Sequence, residues 1–242
     1  MVQGNTMNQR RFVFPLVLAA CLCRVPAWGA EAVDMHARAA ELKSLKWGMF
    51  VCWSFSTFSG KEWTPGIRDA SYFRATGCDT DQWARTAKEA GMGYILFLAK
   101  HHDGFCLWDT ATTDRRVTRS PLGRDVLAEL RKSCDRHGIR LALYFSEGDW
   151  TWPGAVDGAG GKGGAMWFYS LPVHDALCLP AEKLYQDYRG AVKHGNIFSI
   201  DVGPDYAGRL RKIDVETLRK VGRMIRGAIP MPAGDDATPN GK

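Results

Sequence analysis

Between residues 42 and 228 short apolar runs alternate with amphipathic segments, and this alternation limits the fold more than any other feature. Trp47–Phe55, Tyr94–Ala99, Ile139–Phe145, Ala165–Tyr169 and Asn196–Val202 read as strands. Four helices are expected between and after them. Asp79–Ala90 has Asp79 placed as an N-cap with Gln82 three residues on and Gly91 as a stop. Arg124–His137 carries Val126, Leu127, Leu130 and Cys134 on one face and is stopped by Gly138. Pro180–Val192 has proline near its first turn, and Asp214–Arg226 is expected to be capped by Asp214. Strands alternating with helices predict an α/β fold whose parallel sheet is covered on both faces.

Within that class, a doubly wound sheet should show a glycine-rich phosphate loop after an early strand, and none is present. Polar and aromatic residues instead crowd the C-terminal ends of strands, at Trp53 and Ser54, Lys100–Phe105, Ser146–Trp150 and Asp201–Asp205. That is the end at which (β/α)8 barrels of the TIM type keep their chemistry. Eight units need roughly 250 residues, yet only five strands can be found. Between Gly154 and Gly164 six of eleven residues are glycine, which reads as a junction where about three units are missing. The barrel is therefore expected to be incomplete.

The ends divide from the rest by composition. Arg10 and Arg11 precede the apolar stretch Phe12–Leu22, followed by Pro26 and the small residues Ala27, Gly29 and Ala30, the pattern of a secretory signal peptide over residues 1–30. Leu18-Ala19-Ala20-Cys21 also resembles a bacterial lipoprotein cleavage box, so export to the periplasm, the medium or a lipid anchor on the envelope is the expectation. Residues 31–228 would form the partial barrel and residues 229–242 a disordered polar tail. Of the net charge of +6, Arg10, Arg11 and Arg24 of the leader supply half, which leaves no argument for nucleic acid. Beyond the leader, Cys52, Cys78, Cys106, Cys134 and Cys178 are widely spaced and odd in number, so free thiols rather than a disulfide framework or a thiolate zinc site are expected.

The sharpest motif is Lys100-His101-His102-Asp103-Gly104-Phe105, directly after a buried strand. The strand would carry both imidazoles to a cleft, where they can donate and accept hydrogen bonds with neighbouring sugar hydroxyls. Adjacent histidines are poorly spaced as metal ligands, and no metal or other cofactor is expected. Asp103 is expected to orient the imidazoles or cap the turn, and Trp83 to be core.

Together with Lys46-Trp47-Gly48-Met49-Phe50, Glu62-Trp63, Leu107-Trp108-Asp109, Arg124-Asp125, Leu143-Tyr144-Phe145-Ser146, Trp167-Phe168-Tyr169 and Val202-Gly203-Pro204-Asp205, this motif resembles, in order, those of glycoside hydrolase family 29, the α-L-fucosidases. The resemblance implies a (β/α)8 domain that hydrolyses α-fucosides with retention, using two carboxyl groups about 5 Å apart. It makes a fucosylated glycan the partner, and His101, His102, Trp53, Trp63, Tyr144, Trp150 and Trp167 the substrate-binding residues. It matches the visible strands to the first, second, third, seventh and eighth of the barrel. Glu62 and Glu147 are the acid/base candidates, with Asp149 beside them.

Three departures stand out against that family. Its His-Trp-Gly after the first strand is Cys52-Trp53-Ser54, and its Asn before Val-Gly-Pro is Asp201. The Trp-Phe-Asp-like motif that carries its nucleophile is absent from the sequence. Weak or absent turnover is therefore expected, with a non-catalytic fucose-binding protein as the alternative and a metal-dependent hydrolase built on His101, His102 and Asp103 as a third reading. Five strands of eight would leave two open edges, which predicts dimerisation or low solubility.

Overall fold

The computed structural model describes residues 34–61, 63–146, 149 and 171–229. Among them four strands, β1 (Trp47–Val51), β2 (Tyr94–Lys100), β3 (Arg140–Phe145) and β4 (Phe198–Val202), form one parallel sheet in the order β3-β2-β1-β4. The last strand lies beside the first, Trp47 opposite Phe198 and Val51 opposite Val202, and β1 pairs β2 with Gly48 opposite Tyr94. The helices are α1 (Met35–Leu45), α2 (Phe55–Ser59), α3 (Thr80–Glu89), α4 (Val126–His137), α5 (Ala181–Lys193) and α6 (Lys212–Ile225). This is the α/β, parallel-sheet class expected from the alternation. The expected strand Ala165–Tyr169, the glycine-rich junction 154–164, the leader 1–30 and residues 230–242 of the tail lie outside the described residues.

Strand alternation gives the sheet two unlike faces. Trp47, Met49 and Val51 of β1, Ile95, Phe97 and Ala99 of β2 and Val202 of β4 point to the helices, where they join Trp83, Val126, Leu130, Leu218 and Val221 in one buried core. Trp83 is fully buried there, and its indole N–H donates to the Gly208 carbonyl at 2.9 Å. On the opposite face Cys52 and Leu98 form a small cluster with Phe50 and Tyr144. Lower on that face the Tyr94 ring crosses β1 at Gly48, and its hydroxyl meets Ser199 on β4. A Cβ at Gly48 would fall 2.3 Å from that ring, so the missing side chain is what lets the tyrosine bridge three strands.

Several local expectations change in the structure. β1 stops at Val51 because the Ser54 hydroxyl accepts the Ser56 N–H at 3.3 Å and starts α2, which ends at Gly60 with φ 65°. Asp79 caps α3 by accepting the Gln82 N–H at 3.0 Å, but Gln82 does not reach back to complete a box. Its amide donates to the Leu210 carbonyl at 3.0 Å and accepts the Leu210 N–H at 2.8 Å, tying α3 to the segment before α6. Asp214 is not a cap: α6 starts at Lys212, and Asp214 accepts two 2.8 Å hydrogen bonds from the Arg211 guanidinium. The helix α1, which the alternation did not announce, buries none of its residues and is tied to β3 by an Arg140–Glu41 ion pair. Among the described residues, no helix is long and apolar enough to cross a membrane.

Candidate active site

At the C-terminal end of β2 the chain turns through His101, His102, Asp103 and Gly104. Gly104 has φ 75° and accepts no Cβ, which would lie 2.6 Å from the Asp149 carboxylate and 2.8 Å from Arg115 Nη1. Asp103 caps this turn: its Oδ1 accepts the Phe105 N–H at 3.0 Å and its Oδ2 accepts the Thr64 hydroxyl at 3.2 Å. Burial pushes its pKa up, opposed by those hydrogen bonds and by the Arg115 and Lys100 charges. The Asp103 carboxylate thus holds the loop together from inside, and its Thr64 bond draws in the segment that carries Trp63.

The two imidazoles lie side by side, ring centroids 4.5 Å apart, with Tyr144 of β3 stacked 6.1 Å from His101. Burial, then the neighbouring His102 and Lys100, pushes His101 down to about 4. Burial and the Lys100 charge lower His102 as well. Both rings are therefore neutral at physiological pH, and each offers one donor and one acceptor nitrogen. His102 Nδ1 is hydrogen-bonded to the Ser146 hydroxyl at the end of β3.

Behind the turn lies a charged knot that motif reading missed. Lys100 Nζ donates to the Ser146 carbonyl at 2.8 Å, and the Ser146 N–H donates to the Lys100 carbonyl at 2.9 Å. Asp149 lies 3.8 Å from Lys100 Nζ and 3.7 Å from Arg115 Nη1, while Arg115 Nη2 donates to the carbonyls of Ile67 and Asp103. Flanked by two cations, Asp149 is held as their counter-ion. Nothing in the sequence marks Arg115, which lies among other polar loop residues. Ser146 did stand in the strand-end cluster, without a role.

A further carboxyl, Asp201, lies in register with Phe50 on the face that carries Cys52. Burial pushes it up to about 6, and burial and the Asp201 charge together push the Cys52 thiol well up. Cys52 is thus a protonated, packed thiol rather than a nucleophile. All five cysteines of the described residues are free, with Cys52, Cys106 and Cys134 buried. Among the described residues no group of three His, Cys, Asp or Glu could hold a metal ion.

The structure therefore brings His101, His102 and Tyr144 together, with Trp63 half-buried on the loop next to Thr64. It takes Trp53 away from them. That ring is fully buried against Phe73 and Trp83, its N–H donating to the Asp205 carbonyl at 3.1 Å, so it has no open face for a sugar. Glu62, Glu147, Trp150 and Trp167 lie outside the described residues.

The family model described as Alpha-L-fucosidase matches residues 28–162, more than half of the chain. The chain belongs to the α-L-fucosidase family. Alpha-L-fucosidase 1 of Arabidopsis thaliana is 39% identical over 104 residues, which cover 42% of this chain and 21% of that protein. The plasma α-L-fucosidase of Rattus norvegicus is 28% identical over 175 residues, covering 57% of this chain and 38% of the rat protein. The matches thus span well under half the length of these curated relatives. The α-L-fucosidase AlfC of Lactobacillus casei, solved with α-L-fucose product, has a TM-score of 0.63 at 17% identity, covering 78% of this chain and 98% of that one. At that identity the likeness concerns the fold alone.

Proposed function

We propose that this chain binds terminal α-L-fucose of glycans through the His101–His102 pair, and that it hydrolyses the glycosidic bond slowly or not at all. The observation that carries the reading is a pair of neutral imidazoles held at a strand mouth in a member of a fucosidase family. Neutral imidazoles satisfy adjacent hydroxyls of a neutral sugar without a charge to desolvate.

The slow chemistry follows from the carboxyl inventory. Retention requires one carboxylate to attack the anomeric carbon and a second carboxyl group to protonate the leaving oxygen. The sequence contains no Trp-Phe-Asp-like motif for the first role. Of the described carboxyls nearby, Asp103 is spent on the turn and Asp149 on two cations. Glu62 and Glu147 remain the proposed acid/base residues, and Trp63, Tyr144, Trp150 and Trp167 the proposed pocket walls. The rat match supports some internal shortening: its 175 aligned positions exceed the part of this chain that they cover by about 37, so the rat enzyme carries residues inside the matched stretch that have no counterpart here, about the length of one βα unit. On this reading the strands are the first, second, third, seventh and eighth of a barrel, and the leader supports export.

Calorimetry with L-fucose and an aryl-fucoside assay test the proposal. Millimolar binding is expected, lost in the double variant His101→Ala, His102→Ala, with aryl-fucoside turnover many orders of magnitude below ordinary glycosidase rates. Absence of heat at millimolar sugar would overturn the binding reading, and ordinary turnover would overturn the impairment.

A further inference from the structure

His102 is met at Nδ1 by Ser146, which is itself gripped by Lys100. The Ser146 main chain is fixed to Lys100 twice, N–H to carbonyl and carbonyl to Nζ, and Ser146 is buried. Its hydroxyl meets His102 Nδ1. Lys100 is buried too, and its Nζ also lies 5.0 Å over the Phe145 ring and 3.8 Å from Asp149, so the cation cannot swing away from Ser146 without giving up several contacts.

A neutral imidazole is a dipole, negative at its bare nitrogen and positive at its N–H. Lys100 binds the residue that meets Nδ1, so its charge acts on this ring through that side and favours the bare nitrogen at Nδ1 and the proton at Nε2. The Ser146 hydroxyl then donates to Nδ1. We infer that Ser146, gripped by Lys100, is the positioning residue that locks His102 as the Nε2–H tautomer, so that this ring presents a hydrogen-bond donor to a hydroxyl oxygen of the sugar. The inference rests on the proposed sugar-binding reading for its consequence, but the tautomer itself does not depend on it.

Nitrogen-15 NMR of the histidine-labelled full chain reads the tautomer directly. The unliganded protein is expected to show a protonated Nε2 and an unprotonated Nδ1 for His102, assigned by its loss in His102→Gln. Ser146→Ala and Lys100→Met are each expected to mix the two tautomers, and Ser146→Thr to restore the single one. In calorimetry, Ser146→Ala should weaken fucose binding about tenfold and Ser146→Thr should stay within about twofold of the parent. A protonated Nδ1 in the parent protein, or an unchanged His102 signature in folded Ser146→Ala, would overturn the inference. If the parent binds no fucose, the sugar reading fails while the NMR result still decides the positioning role. Thermal melts of Ser146→Thr alongside Ser146→Ala separate lost positioning from lost folding, since only the former is rescued by a hydroxyl.

Discussion

At the scale of single residues, charge states set the behaviour of this site, and two groups oppose each other on acidification. His101 titrates near 4 in the folded chain against an ordinary 6.5, so the folded state takes up its proton reluctantly. Its penalty is absent above about pH 6.5, grows as pH falls, and is complete below about 4. Asp201 has the reverse sign: its folded pKa of about 6 lies above the ordinary 3.8, so its penalty is absent below 3.8, grows as pH rises and is complete above about 6. Asp201→Asn is therefore expected to stabilise the protein at pH 7 by about 1 to 2 kcal/mol. That gain should vanish near pH 4, leaving a steeper acid loss than in the parent. Urea midpoints at pH 7, 5.5 and 4.5 measure it; a gain that does not depend on pH would show that the carboxyl titrates in the fold as it does in the unfolded chain. The pair His101–His102 was legible because a motif carried it. The burial that makes the pair neutral was not, since desolvation is a property of packed neighbours such as Tyr144, Lys100 and Ser146.

Elements were legible where a local signal suffices. The cap Asp79 and the stop Gly138, at φ 64°, follow from short-range chemistry and stand where the sequence puts them, whereas α4 starts two residues later than expected, with Asp125 as its cap. Gln82 and Asp214 did not, because each found a partner that only the tertiary fold supplies, Leu210 for one and Arg211 for the other. Trp53 departs for a similar reason: its place after β1 suggests a cleft, but the start of α2 turns the chain and the ring fills the core. The strand register offers the sharpest test at this scale. In Gly48→Ala the new methyl would collide with the Tyr94 ring and break its contact with Ser199 across the sheet. A loss of about 1 to 3 kcal/mol is expected, and adding Tyr94→Leu should recover part of it because the two changes share one contact. Denaturant titration of the single and double variants checks this; strict additivity would mean that the ring does not lie over Gly48.

For the whole molecule the open question of the sheet is what meets its outer strands. Among the described residues β3 and β4 each have one strand neighbour, and β3 turns Leu143 and Phe145 outward with 52% and 54% of their surface exposed. Leu141, Leu143, Trp108 and Leu127 line a groove between β3 and α4, bordered by Asp125 and Arg131. Apolar surface of this kind beside a strand with one strand neighbour among the described residues favours pairing with another chain. We therefore expect the purified protein to self-associate in the micromolar range, and Leu143→Lys to shift it toward monomer by charging the groove without touching the His101–His102 turn. Sedimentation velocity over a concentration series measures the shift, and fucose calorimetry on the same variant shows whether the sugar site is independent of it. A parent protein that stays monodisperse and monomeric and melts cooperatively would mean that the residues beyond those described close the sheet.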